Sequence, residues 1–331
     1  MVLNATDLLA RMNANVPHHH GDYTRLTFPA LGTQNTLLFQ SPSALVARDF
    51  LMEALRWLAD FEVRFSRFIP TSLVSRLNTG AGTGEWFELD TNAQELFALC
   101  DWFHWKTGGV FDPTVGSAEP RWNLRQQTTN IPFSDKIAAV LPQLGWSNVE
   151  RASGRARLAY TGLALDLGGI GKEYAVDQVF MLAQHWGIHN VLVDFGRDIR
   201  VGGSPSEGGN WRLGLEHPAQ PDECWGGVAL GNAALCCSGD YRRYVELDGQ
   251  HYSHLIDPRT GWPAQSGVHA AWSIAPTCTE AGILTTTACI LGLAEGSKLF
   301  EQSPGGAGCI WADQGLFQTQ RFQKYEIKNV A

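Results

Sequence analysis

The chain has 331 residues, 44% of them hydrophobic and 18% charged, and a net charge of −8. That length can bury a large core in one or two domains, and the acidic balance excludes a nucleic-acid surface, so an anionic ligand must be met by local positive groups. No run approaches the roughly 18 consecutive apolar residues of a membrane span, and seven cysteines without a CxxC pair argue against a disulfide framework or a zinc site.

In chain order, residues 1–22 read as an arm with a short helix near Asp7–Met12 followed by loop. Asp7, Arg11, Asn13 and Asn15 interrupt its apolar residues, so no signal-peptide core is read and the expected location is the cytoplasm. The triplet His18 to His20 reads as solvated. Tyr23 to Phe39 alternates as two strands around a turn at Ala30 to Thr33. Ser43 to Phe65 carries apolar residues at helical spacing, with Ser43 as N-cap. A polar connection from Ser66 to Asn78 ends in a helical turn. A second helix runs from Thr91 to Thr107, capped by Asp90 or Thr91 and closed by Gly108 and Gly109. Val110 to Gly116 is a compact turn expected to expose Asp112. Ser117 to Asn130 reads as surface loop, 135–144 as a short helix and Val149 to Leu158 as a hairpin.

Leu163 to Asp177, LALDLGGIGKEYAVD, reads as strand, glycine turn and helix. Glycines at 168, 169 and 171 bring bare backbone N–H groups to a helix N-terminus with Lys172 in its first turn, which suits a phosphate. A Walker loop would need glycine at Asp166 and Ser or Thr at Glu173, and a dinucleotide fingerprint would need glycine at Tyr174, so neither fits. The stretch alone is equally compatible with a plain strand–helix connection. Beyond it, Asn190 to Asp194 reads as a strand, and Phe195 to Gly203 as a turn and edge strand. Trp211 to Glu216, Gly227 to Leu230, Ala234 to Cys237 and Tyr244 to Leu247 continue a β-rich pattern. The order, helix-rich and then strand-rich, favours α+β.

Three polar clusters remain: Ser238 to Arg243, Tyr252 to Gly261, and a helix from Ala281 to Leu291 expected to expose Thr279, Glu280, Thr285 and Thr286. Within the second, DPRTG has the chemistry of a tight turn beside His254.

Taken together, ALGT (30–33), Ser66 to Asn78, GGVFDPTVG (108–116), Asp166 to Asp177, SGDY (238–241), HLIDPRTG (254–261) and the Thr285–Thr286 helix resemble the ApbE family of FAD:protein FMN transferases. The resemblance runs from about residue 24 to 322. It implies an α+β, ApbE-like (T-fold-related) architecture over 23–331 with an FAD cleft between lobes. It also implies FAD and Mg²⁺ as ligands, and transfer of FMN to a threonine of an acceptor flavoprotein with release of AMP. The implied FAD contacts are Leu31 (usually Met), Phe68 (usually Tyr), Val110, Phe111, Asp112, Asp166, Lys172, His254 and Ile256. Lys172 and Arg259 would meet the pyrophosphate, and His254 would be the general base.

The implied metal ligands are the main-chain carbonyl of Gly169 and Thr286. The family's usual aspartate four residues before that threonine is here Gly282, which should weaken the binding of a hard cation. Gly282→Asp is then expected to raise Mg²⁺ affinity, and Glu280 could substitute only with a register shift. Glu173 replaces a usual glycine, and Arg197 stands where a Gly-Gly pair is usual, positioned to offset phosphate charge. The leading reading is a transferase. The alternatives are an FAD pyrophosphatase with water as acceptor and a metal-depleted, non-catalytic FAD-binding protein.

Overall fold

The computed structural model describes residues 4–118, 137–139, 141–247 and 249–327. Its centre is a nine-stranded sheet in which spatial order follows chain order: β1 (His18–His20), β2 (Tyr23–Ala30), β3 (Thr33–Gln40), β4 (Val191–Phe195), β5 (Asp198–Gly202), β6 (Ala233–Gly239), β7 (Val268–Ala275), β8 (Ala307–Ala312) and β9 (Gly315–Gln318). Every neighbouring pair is antiparallel. The helices are α1 (Ala5–Asn13), α2 (Ala44–Phe65), α3 (Leu73–Thr79), α4 (Thr91–Lys106), α5 (Gly171–His185), α6 (Cys278–Leu291), α7 (Leu293–Gln302) and α8 (Gln320–Gln323).

Because side chains alternate along a strand, each strand feeds two cores. On β6, Ala234 and Cys236 face a core built with Phe50, Leu58, Val176, Val179 and Ile283, from α2, α5 and α6. Leu235 faces the other side, where the hairpin of Trp211–His217 and Gln220–Leu230 supplies Leu213, Leu215 and Val228. Helices thus cover one face of the sheet and a β-hairpin covers the other.

The capped helices form as their sequences direct. Ser43 Oγ accepts the Val46 N–H (3.2 Å) at the start of α2, and Asp90 Oδ1 accepts the Ala93 N–H (3.0 Å) at the start of α4. The helix at the N-terminus is packed, with Met12 fully buried in the main core. His18–His20 forms an edge strand where a loop was expected, with all three residues exposed.

Two expectations change. Leu163 to Leu167 belongs to no strand, because the backbone bonds of residues 164–166 go to the Asn78 and Ser117 side chains and to the Pro113 carbonyl. The strand after Phe195 is interior rather than edge, since β6 pairs with its free side. The helix expected over 135–144 lies partly outside the described residues; within it, residues 137–138 are helical and Leu141–Gln143 forms a 3₁₀ turn. The loop expected over 117–130 lies outside them beyond Ala118.

Candidate functional site

The glycine turn is held from three sides. Asn78 acts as a surrogate strand for the run before it: its Nδ2 donates to the Leu165 carbonyl (3.0 Å) and its Oδ1 accepts the Leu165 N–H (2.7 Å). The Asp166 N–H donates to the Pro113 carbonyl (2.7 Å), and Ser117 Oγ accepts the Ala164 N–H (2.7 Å). Gly116 makes this contact possible, because a β-carbon there would stand 2.8 Å from the Ala164 carbonyl oxygen. The turn at 110–116 is therefore locked against the run that leads into Gly168 and Gly169.

Around this junction several predicted residues meet. Asp166 Oδ1 accepts the Gly168 N–H (2.8 Å), its Oδ2 lies 3.3 Å from Arg67 Nε, and the Arg67 guanidinium sits 4.4 Å from the centre of the Phe68 ring. Phe68 is 57% exposed. Phe111 is buried, with its ring edge 4.0 Å from where a β-carbon on Gly169 would stand, and Val110 is buried beside it. Asp112 is buried, contrary to expectation. Its Oδ1 accepts from the Thr114 N–H (2.8 Å) and hydroxyl (2.6 Å), and its Oδ2 accepts the Trp146 N–H (2.9 Å). Turn chemistry suggested an exposed carboxylate, whereas these donors draw it inward.

Lys172, in the first turn of α5, is paired with the Asp198 carboxylate, whose charge holds the ammonium above its usual range against the effect of burial. His254 is half-buried, and its Nδ1 and main-chain N–H both face the Arg243 carbonyl, at 3.0 and 3.1 Å. A carbonyl only accepts, so Nδ1 carries the hydrogen and Nε2 keeps a lone pair. Desolvation lowers the imidazole to about 4, helped by the positive charges of Arg243 and Lys172, which also couples His254 to the glycine turn.

Arg259 is gripped by Asp257, with Nε to Oδ1 at 2.8 Å and an outer nitrogen to Oδ2 at 2.6 Å, although its side chain is 51% exposed. Ile256 is buried in a satellite cluster with Ala118, Ile137 and Tyr252. Leu31 adopts a left-handed backbone (φ 54°), and its N–H donates to Glu62 Oε2 (2.8 Å). No direct contact joins Leu31, Ile256 or Arg259 to the glycine turn among the described interactions. Arg197 is paired with Glu216 rather than standing free.

Helix α6 is buried where an exposed face was expected: Thr279 and Thr285 are 4% and 0% exposed, because α6 packs on the sheet and on α5. Asp177 of α5 fixes its start. Asp177 Oδ1 accepts the Cys278 N–H (2.8 Å) and an Arg200 N–H (2.7 Å), and its Oδ2 accepts the Thr279 N–H (2.9 Å) and hydroxyl (2.7 Å). Further along, Ser238 Oγ lies 2.8 Å from Thr285 Oγ1 and 3.0 Å from Thr286 Oγ1. Glu280 is held by Lys106 Nζ (2.7 Å), which removes it as a substitute for the missing aspartate.

The sequence profile of the ApbE family matches residues 31–311. The chain belongs to the ApbE family. Proteins similar to it include the FAD:protein FMN transferase of Treponema pallidum (strain Nichols), 28% identical over 274 residues that span 77% of this chain and 75% of that one. The FAD:protein FMN transferase of Escherichia coli (strain K12) is 32% identical over 222 residues, 65% of this chain and 63% of that one. The fold matches the crystal structure of the ApbE protein of Thermotoga maritima with a TM-score of 0.83 and 29% identity, covering 92% of this chain and all of that one. It also matches the flavin transferase ApbE from Vibrio cholerae, with a TM-score of 0.82 and 25% identity over 94% and 100% of the two chains.

For an ApbE-family chain, the donor set around α5 and α6 is oxygen-rich. Among the described residues no group of three His, Cys, Asp or Glu side chains could cage a metal. One buried carboxylate oxygen, Glu173 Oε2, nevertheless has no hydrogen-bond partner, and burial together with nearby Asp198 pushes that carboxyl up to about 8. With the Thr286 hydroxyl and the Gly169 carbonyl, these are hard donors of the kind that Mg²⁺ accepts alongside substrate phosphates and water. Sequence reasoning noted Glu173 as a departure without giving it a role, and gave none to Asp177 or Asn78. The signal for the first was present as two departures of opposite sense, a carboxylate gained at 173 and one absent at 282. An open concavity lined by Leu89, Phe97, Asp101 and Arg151 shares no residue with the predicted site. Among these residues no helix is long and apolar enough to cross a membrane.

Proposed function

We propose that this chain is an FAD:protein FMN transferase. It binds FAD, and a threonine hydroxyl of an acceptor flavoprotein attacks the FMN phosphorus. The new threonine O–P bond forms as the pyrophosphate P–O bond breaks, AMP departs, and the hydroxyl proton passes to a base. The observation that carries this reading is the orientation of His254. Its Nδ1–H is fixed on the Arg243 carbonyl, its Nε2 lone pair is left over, and the Lys172 charge at the glycine turn is close enough to depress its basicity.

The depressed basicity is that of the free protein. An anionic pyrophosphate beside Lys172 offsets part of the positive charge that lowers the imidazole, so binding of substrate makes His254 a better base as it is needed. The start of α5 puts Lys172 beside the glycine turn, whose Gly168, Ile170 and Gly171 N–H groups are bonded within the turn to Asp166 and Leu167, Phe68 is an exposed aromatic ring beside Arg67, and Val110 and Phe111 supply an apolar wall. Mg²⁺, held by the Thr286 hydroxyl and the Gly169 carbonyl, would neutralise charge on the pyrophosphate.

The test is incubation of purified protein with FAD and Mg²⁺, with and without a candidate flavoprotein, following AMP. AMP only with the acceptor is the expected result. AMP without acceptor makes the protein a pyrophosphatase, and tight yellow binding with no AMP makes it a flavin-binding protein.

A further inference from the structure

Asp177 sets the register of two helices. With its carboxylate on Cys278 and Thr279, the residue one turn back on α5 is Glu173, and the residue one turn on along α6 is Gly282. These two are in contact: a β-carbon built on Gly282 would stand 2.5 Å from Glu173 Cγ, 3.1 Å from its Cδ and 3.2 Å from its Oε1. The Glu173 carboxyl therefore fills the volume that a short side chain at 282 would need, and glycine at 282 is what admits it.

Glu173 is 7% exposed, and its Oε2 has no hydrogen-bond partner among the described residues. A buried carboxylate oxygen without a donor is costly unless a cation meets it. The nearest ammonium, Lys172, is paired with Asp198. The acid at the start of α6, Glu280, is paired with Lys106. Thr286 lies one turn beyond Gly282 on the same face of α6, with its hydroxyl 3.0 Å from Ser238 Oγ.

We propose that Glu173 is the anionic ligand of a divalent-cation site on the α5–α6 face, its carboxylate delivered from α5 into the place left open by Gly282, with the Thr286 hydroxyl as a neighbouring donor. The site takes a hard cation such as Mg²⁺ or Mn²⁺, since every donor is oxygen. The inference rests on the transferase reading only for the remaining ligands, which FAD pyrophosphate oxygens supply.

The experiment follows Mn²⁺ binding to the full chain by loss of the free-ion electron paramagnetic resonance signal, at constant FAD, for the wild type, E173Q, E280Q and the exchanged pair E173G/G282D. A direct ligand should cost at least the roughly 10–100-fold lost on removing outer-shell partners. The expected result is a loss of that size in E173Q, wild-type binding in E280Q, and recovered binding in E173G/G282D. Wild-type binding by E173Q, equal losses in E173Q and E280Q, or no Mn²⁺ binding by the wild type overturns the proposal. AMP release is scored separately: a chain that holds Mn²⁺ through Glu173 but yields no AMP with any acceptor keeps this site and loses the transferase reading.

Discussion

Asp177 and Glu173 stand one turn apart on α5, each 7% exposed, and both look onto the start of α6. Asp177 has both oxygens occupied by two helix N–H groups, a threonine hydroxyl and an arginine, so its charge is consumed in holding the helices together. Glu173, beside the Asp198 carboxylate, has one oxygen, Oε2, with no hydrogen-bond partner among the described residues. Equal burial thus separates into two roles according to whether the donors are present. A satisfied buried carboxylate is architecture, and an unsatisfied one is a place for something that arrives later.

Four outcomes would break or sharpen this contrast. The largest is expected from Asp177→Ala, which strips two N–H groups at the start of α6 and leaves Arg200 unpaired. Loss of one partner of a buried charge network costs about 3–5 kcal/mol, readable as a fall in the denaturation midpoint in urea. A loss near zero would mean that Asp177 does not organise the helix pair.

Next is Gly282→Asp, which sequence reasoning expected to improve metal binding. With Glu173 in place the new β-carbon is only 2.5 Å from its Cγ, so overpacking should cost roughly 1–3 kcal/mol without metal. The same substitution in a chain carrying Glu173→Gly should be nearly free of that penalty. Additive effects in this double-mutant cycle would show that the two positions do not share one space.

A smaller effect of opposite sign is expected for Glu173→Gln without metal. A neutral amide removes a buried acidic group beside Asp198, so stability should hold or rise by up to about 1 kcal/mol, in contrast with Asp177. A large loss would mean that Glu173 is structural after all.

The smallest effect is a flat pH profile. His254 sits at about 4 rather than near its ordinary 6.5, so its neutral, proton-accepting form persists as pH falls from 8 through the usual histidine range. Its contribution to kcat/KM for FAD should fail only as pH drops towards 4. A fall centred near 6.5 would show that an unshifted histidine is the base instead.

The long helices were legible because cap and periodicity agree at Ser43 and Asp90, and the strands flanking Ala30 to Thr33 because alternation is strict. What misled was information held at a distance. Leu163 to Leu167 has the composition of a strand, but Leu165 at its centre bonds to the side chain of Asn78, 87 positions away. The strand after Phe195 looked like an edge because its second neighbour, β6, comes later in the chain.

The site divides in the same way. Its residues were named through motifs, and the structure brings Phe68, Phe111, Asp166 and Gly169 to one junction, while electrostatics couples His254 to Lys172. The exchange between positions 173 and 282 could not be read from either alone, since it exists only where α5 crosses α6.

The most direct measurement is anomalous diffraction from crystals of the chain grown with Mn²⁺ and FAD. The expected result is a Mn²⁺ peak at an oxygen-ligand distance of about 2.0–2.3 Å from the Glu173 carboxylate, shared with the Thr286 hydroxyl. A peak bound only by pyrophosphate and water, with Glu173 turned away from it, would show that Glu173 is not a metal ligand.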